Sequence, residues 1–303
     1  MSLFLRSIYL SSGLSLFYIL FLYHSNPYRR LPSTTVTLTF ALGMAAVIPV
    51  TLIRLTFTTG GMGTPFSAYV GAGLIEEGVK FLVMFGVIWR LRFPDVAEPM
   101  DLVIYFGILG AGFGIYEDFW YIFSSSYPSW ISGDPVHFYE VFGAITVARS
   151  FPGHILFDGL AGYLIGYARF CQGRLAQLAW IGGGFAIAVV THGSFNMLAT
   201  AGRILLITYI VFLIGIFLLL RRLAVERSPF RALITMLSRG GERWSYPRPP
   251  LDYLFAEGFS WPGKADRGMF QVFPFVLSLL ILYPMLVAAV YLVNQLIVWL
   301  FVE

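Results

Sequence analysis

Long apolar runs separated by short polar breaks make up most of this chain. Because roughly 20 apolar residues form a helix that crosses a bilayer, the runs predict eight spanning helices, near 3–23, 35–56, 66–90, 101–123, 141–169, 175–200, 203–220 and 270–300. The fifth run is overlong and contains Arg149 and Pro152. It is also compatible with a short interfacial helix over about 138–150 and a spanning helix from Pro152, since proline is tolerated in a first helical turn. The pattern predicts an all-α fold, a polytopic transmembrane helical bundle.

Composition strengthens this prediction. The chain is 58% hydrophobic and 12% charged, with a mean hydropathy of +0.77, which is outside the range of soluble globular domains. We expect a multi-pass protein of the cell membrane, with the lipid bilayer as a partner and no nucleic acid. The single cysteine, Cys171, excludes an internal disulfide.

The basic residues predict an orientation. Fifteen of the 20 Lys and Arg residues lie in the first, third, fifth and seventh loops. Lys and Arg mark cytoplasmic loops, so these loops are predicted to be cytoplasmic and both termini to lie outside. The segment Ser124–Glu140 is then an outer loop.

These features divide the chain into five predicted parts. Residues 1–65 hold the first two helices, 66–201 a catalytic core of helices three to six, and 202–220 the seventh helix. Residues 221–269 are basic and rich in aromatic side chains, which is typical of a cytoplasmic segment at the level of the lipid headgroups. Residues 270–303 hold the eighth helix.

Three ionisable residues interrupt the third run. A charge at the centre of a bilayer costs about 3 kcal/mol on insertion scales, so Glu76, Glu77 and Lys80 indicate a functional site. Glu76 and Lys80 have the i, i+4 spacing of a helical ion pair. This spacing predicts that Lys80 offsets Glu76, and that Glu77 faces another part of the bundle.

Three further predicted helices carry polar residues at membrane depth. At 1.5 Å per residue, the glutamates and histidines among them and in the third run all fall in the outer half of the bilayer. Small residues at four-residue spacing on the same helices predict close helix contacts that bring polar side chains together. The polar residues are Glu117 and Asp118, His154 and Asp158, and His192 and Asn196.

Taken in order, Glu-Glu-x-x-Lys, Phe-x-x-x-Glu, a histidine-led motif and His-x-x-x-Asn resemble the PrsW family of intramembrane proteases, which is related to the type II CAAX prenyl endopeptidases. The resemblance implies hydrolysis of a peptide bond in a single-pass membrane protein, such as an anti-sigma factor at its first cleavage. The catalytic residues carried over are Glu76, Glu77, Glu117, His154, His192 and Asn196. CAAX endopeptidases typically have an arginine one position after Lys80 and a histidine at the position of Glu117.

Two chemistries fit this set of residues. In the first, His154, His192 and Glu76 bind Zn²⁺, comparable to the two-histidine, one-glutamate sites of zinc hydrolases, and the other glutamate of the pair is the base. In the second, no metal is bound, a glutamate activates water, and His192 with Asn196 polarises the carbonyl. Mutual repulsion of the carboxylates at low dielectric favours the metal.

Three other functions remain open at this point. A CAAX-type prenyl endopeptidase shares much of the motif set. A proton-coupled transporter also places Glu, His and Asp within spanning helices, and a non-catalytic membrane scaffold retains polar residues for packing. The adjacent pair Glu76 and Glu77 favours an enzyme, since a scaffold has no need of two neighbouring carboxylates.

Overall fold

A computed structural model describes residues 2–28, 30–56, 64–89, 96, 98–149, 151–168, 174–201, 203–226, 228 and 230, and all regular structure within these ranges is helical. The helices are α1 (Leu3–Tyr23), α2 (Ser33–Thr56, interrupted at Ala46), α3 (Ser67–Leu74, Ile75–Val83 and Met84–Trp89 in succession), α4 (Pro99–Ile131), α5 (Pro135–Arg149), α6 (Gly153–Ala168), α7 (Arg174–Ala201) and α8 (Arg203–Glu226). The predicted eighth spanning helix, 270–300, and most of the predicted 221–269 segment lie outside the described residues.

Five of these helices are long and apolar enough to cross a membrane, namely α1, α2, α4, α7 and α8. Two others have a different form. The helix α6 has 16 residues, and α3 has π-helical turns on either side of a central α-helical section. The prediction of an all-helical, multi-pass membrane protein is confirmed for the part of the chain that the structure describes.

The helix α4 lies at the centre of the bundle and is surrounded by α1, α2, α5 and α6. Its 33 residues correspond to about 50 Å at 1.5 Å per residue, which exceeds the roughly 30 Å hydrocarbon layer. A reciprocal capping box fixes its start, where Glu98 and Asp101 each accept the other's backbone N–H. Asn26 donates to Glu98 at 2.5 Å and joins this end to the α1–α2 connection.

Two predicted boundaries lie on either side of α5. The helix α4 continues to Ile131, so the predicted outer loop Ser124–Glu140 is instead the last turns of α4, a tight turn at Gly133 (φ 75°) and the start of α5. The serine hydroxyls there bond to carbonyls one turn earlier, as Ser124 does to Trp120 at 2.7 Å, and so remain compatible with a helix. The overlong fifth run divides into α5 and α6, as its second interpretation predicts.

Glycines allow the central helices to touch through their backbones. A Cβ atom on Gly43 of α2 would lie 2.1 Å from the carbonyl oxygen of Leu109, and one on Gly162 of α6 would lie 2.3 Å from that of Leu102. A Cβ atom on Gly110 would lie 2.4 Å from the Asp158 carboxylate. The predicted close contacts are therefore present at Gly110 and Gly162, although Gly182 and Gly183 of α7 face open space.

The helix α2 has two halves with different relations to α4. Pro49 lacks the N–H that would bond to the Ala45 carbonyl, and its ring crowds that carbonyl. The helix is interrupted at Ala46, and the next bond, from Val50 N–H to the Ala46 carbonyl, is long at 3.4 Å. The first half is in backbone contact with α4, whereas Val47 and Val50 of the second half share a side-chain cluster with α4 and border a cavity beside it.

Candidate active site

A fully buried lysine joins α3 to α6. Lys80 Nζ donates to Glu77 Oε1 at 2.8 Å and to Asp158 Oδ2 at 2.7 Å, and all three side chains have zero exposure. The predicted pair of Lys80 with Glu76 is therefore wrong, because the partner of Lys80 on its own helix is Glu77. Lys80 points towards α6, where Asp158 supplies a second carboxylate. Glu77, three residues before Lys80, lies nearer that side of α3 than Glu76 does.

Glu76 has a different cationic partner. Arg54, near the end of α2, pairs with Glu76 Oε1 and also donates to the Gly71 carbonyl oxygen at 3.1 and 3.2 Å. This role of Arg54 was not predicted from the sequence. The signal in the sequence was an arginine within an apolar run, on the predicted helix just before the one that carries Glu76 and Glu77.

His192 of α7 is held by the second glutamate. Its Nδ1 lies 2.6 Å from Glu77 Oε1. A carboxylate in contact with Lys80 is an acceptor, so Nδ1 carries the proton and Nε2 presents its lone pair. Nε2 lies 3.8 Å from Glu76 Oε2, and the ring of Phe157 stacks on the imidazole at a centroid distance of 5.0 Å.

His154, in the first turn of α6, lies against His192, with 4.9 Å between the ring centroids. Its Nε2 is 2.9 Å from Glu117 Oε2, and its Nδ1 is 3.4 Å from Lys80 Nζ. Gly114 of α4 makes room for the ring, since a Cβ atom there would lie 3.0 Å from His154 Cδ2. The predicted convergence of helices on one region is thus found in the geometry.

Arg149, the last residue of α5, completes the network. It donates to Glu117 Oε2 at 2.5 Å and to Asp118 Oδ1 at 2.8 Å, and its guanidinium lies 4.5 Å from the centroid of the Tyr121 ring. No role for Asp118 and no partner for Arg149 were predicted from the sequence. The structure shows that the two side chains pair with each other, and that Arg149 also pairs with Glu117.

Three of the predicted residues form a group suited to a metal ion. Glu76, His154 and His192 each offer a ligand atom, and these atoms lie within 4.8 Å of one another. Glu76 Oε2 is buried and has no hydrogen-bond partner in the described part of the chain. Two imidazoles and one carboxylate are a donor set used by catalytic zinc sites. The residues present therefore fit a divalent metal.

The family comparison agrees with this arrangement. Residues 31–220, more than half of the chain, match the PrsW family, described as intramembrane metalloproteases. The chain belongs to the PrsW family. It is similar to Protease PrsW of Clostridioides difficile (strain 630), with 28% identity over 152 residues, which cover 49% of this chain and 59% of that protein. No solved structure matches the chain.

Two cavities meet the site of this PrsW family member. The smaller, of about 40 Å³, has Glu117, His154, His192 and Asn196 in its wall; since one water needs some 10–15 Å³, it holds only a few waters. The larger, of about 380 Å³, lies between α2 and α4 and has Glu76 and Glu117 in its wall. Glu117 borders both cavities, and Glu77 borders neither of the two.

The lysine pair yields a prediction about stability. We expect Lys80→Met to lower the free energy of unfolding by about 3–5 kcal/mol, because it leaves the buried carboxylates of Glu77 and Asp158 without their cation. Thermal unfolding of the purified protein in detergent measures this. The control is Arg222→Met, which removes an exposed pair with Glu226 and should leave the free energy of unfolding nearly unchanged. Equally small losses of unfolding free energy in both variants would contradict this role of Lys80.

Proposed function

We propose that this PrsW family member is an intramembrane endopeptidase that hydrolyses a peptide bond of a single-pass membrane protein. The observation that carries the proposal is the convergence of Glu76, His154 and His192 beside Glu117, next to a cavity with room for water. Hydrolysis needs an activated water, a base and a donor for the oxyanion, and this group of side chains can supply each of them.

The metal of the proposed site would be held by Glu76, His154 and His192, and Zn²⁺ is the ion that best suits the donor set. When bound, it would act as a Lewis acid that lowers the pKa of water and polarises the carbonyl. The charge balance supports it: Glu76, Glu77, Glu117, Asp118 and Asp158 face Lys80, Arg54 and Arg149. With neutral histidines the sum is −2, which one divalent cation neutralises.

The geometry supports distinct roles for the glutamates. Glu77 is enclosed by Lys80 and His192, so we assign it to hold the His192 ring with its proton on Nδ1. A carboxylate that fixes a ligating histidine in this way is common around metals. Glu117 borders both cavities and is therefore our candidate for the base that takes a proton from water, in place of Glu77, the predicted base.

The carbonyl oxygen of the scissile bond also needs a hydrogen-bond donor. Asn196 lies one helical turn after His192 and borders the small cavity with it. Its side-chain amide can donate to a developing oxyanion, which is typically worth 10²–10³ in rate. If no metal is bound, Asn196 and His192 together would polarise the carbonyl while Glu117 activates water.

The competing functions are less well supported. The CAAX-type reading lacks the expected histidine, because Glu117 stands there and pairs with Arg149. A packing scaffold gives no reason for the buried, unpartnered Glu76 Oε2. A proton-coupled carrier would not require the metal-ligand grouping of Glu76, His154 and His192.

We further propose eight spans with both termini outside, and a site in the outer half of the bilayer. The support is the distribution of Lys and Arg, fifteen of 20 in alternate loops. A substrate cut near its outer boundary, such as an anti-sigma factor at its first cleavage, suits this orientation.

For catalysis, we expect Glu117→Gln, His154→Ala and His192→Ala each to lower cleavage by at least about 10²-fold, since each removes a proton acceptor or a metal ligand. The assay follows product from a panel of single-pass substrates in proteoliposomes. His137→Ala is the matched control, because His137 is an exposed histidine on α5. Turnover like that of the wild type in any of the three site variants would contradict the assignment of that residue.

For the metal, we expect the purified protein to contain about one equivalent of a divalent ion, measured by elemental mass spectrometry. The double variant His154→Ala with His192→Ala should lose it, whereas His137→Ala should retain it. Full activity in protein shown to be metal-free would decide for direct activation of water by a glutamate.

For orientation, we expect a cysteine at Ser132, in the α4–α5 turn, to react with a membrane-impermeant thiol reagent in intact cells. A cysteine at Arg222, near the end of α8, should react only after permeabilisation. Both variants carry Cys171→Ser. The reverse pattern would move the site to the inner half of the bilayer and support the CAAX-type function.

A further inference from the structure

The larger cavity lies beside the second half of α2. Gly43 holds the first half of α2 against the backbone of α4. Beyond the break at Ala46, which Pro49 explains, a cavity of about 380 Å³ is lined by residues of both α2 and α4. Such a volume lies at the low end of the range for ligand pockets, about 300–1,000 Å³.

The cavity has an apolar body and a polar inner wall. Val47 and Val50 line it from α2, and Phe113, Tyr116 and Trp120 line it from α4. Its inner wall includes the carboxylates of two candidate site residues, a glutamate on α3 and one on α4. An apolar group in the cavity therefore lies beside the atoms to which we assign metal binding and proton transfer.

We propose that this cavity binds a bulky apolar side chain, of leucine to tryptophan size, adjacent to the scissile bond of the substrate, and that Val50 and Trp120 select it. This inference rests on the proposed function. Apolar walls favour an apolar group through the removal of its surface from water or headgroups.

A peptide side chain fits these walls better than a lipid acyl chain. A side chain is attached to a polar peptide unit, and an unpaired peptide unit in lipid is costly unless protein meets it. The cavity wall offers polar partners for that unit, in Thr51 and the Arg54 guanidinium. An acyl chain has no peptide unit to bond with these two side chains.

Photo-crosslinking tests occupancy without requiring turnover. The full-length protein is reconstituted in phosphatidylcholine vesicles with a polyleucine transmembrane peptide that carries one diazirine leucine in its outer half. A second sample replaces the peptide probe by phosphatidylcholine with a diazirine in its acyl chain. Adducts are mapped by mass spectrometry.

We expect the peptide probe to label Val47, Tyr116 or Trp120, and Val50→Phe to reduce this labelling about tenfold by filling the cavity. Leu52→Phe is the control, because Leu52 is on the same half of α2, is 38% exposed and does not border the cavity. Labelling of these residues by the lipid probe alone, or peptide labelling that Val50→Phe leaves unchanged, would overturn the proposal. Thermal unfolding verifies that both variants fold. Val50→Ala enlarges the cavity and is a second test, because it should raise the peptide labelling rather than reduce it.

Cleavage specificity gives an independent readout. With substrates that differ only in the residue beside the scissile bond, we expect Val50→Phe to shift the ratio of Phe to Ala cleavage by about tenfold towards Ala. An unchanged ratio would overturn the selection role. If the peptide labels the cavity but no substrate is cut, the proposed hydrolysis fails while the binding assignment stands, so the two failures are distinguishable.

Discussion

The contact of Lys80 with Glu77 and Asp158 is the interaction on which the arrangement of the site depends. It buries one cation and two carboxylates completely, in surroundings where an unpaired charge costs several kcal/mol. The bundle tolerates these charges only with α3 and α6 in this relative position. Glu77 in turn orients His192, so the same contact extends to α7.

Two arginines perform a comparable function at the edges of the site. Arg54 reaches Glu76 from α2, and Arg149 reaches Glu117 from α5. Glu76 and Glu117 are thereby each fixed by a cation from a helix that contributes no other site residue. Planar guanidinium groups suit this task because they hold a carboxylate in a defined direction. The polar network is consequently wider than the motifs, and it includes helices that the motifs do not mark.

Much of this organisation could be predicted from the sequence, with a clear limit. Length and hydropathy located α1, α3 and α7 to within a few residues, and the mixture of Arg149 and Pro152 indicated the division between α5 and α6. The partners of the charges could not be predicted in the same way. Helices that are apolar on all sides carry no periodic signal for rotation about their axes, so the choice of Asp158 rather than Glu76 for Lys80 depends on packing. The same holds for Arg54 and Arg149, whose partners lie on other helices.

The order of the site along the chain has a consequence for biosynthesis. Glu76, Glu117, His154 and His192 come from α3, α4, α6 and α7, and the glycine contacts between these helices hold them at fixed distances. A nascent chain that has released only α1 to α6 into the bilayer lacks His192 and the second imidazole of the group. The full set of candidate site residues is therefore assembled only in a single late step of synthesis, when α7 joins the bundle.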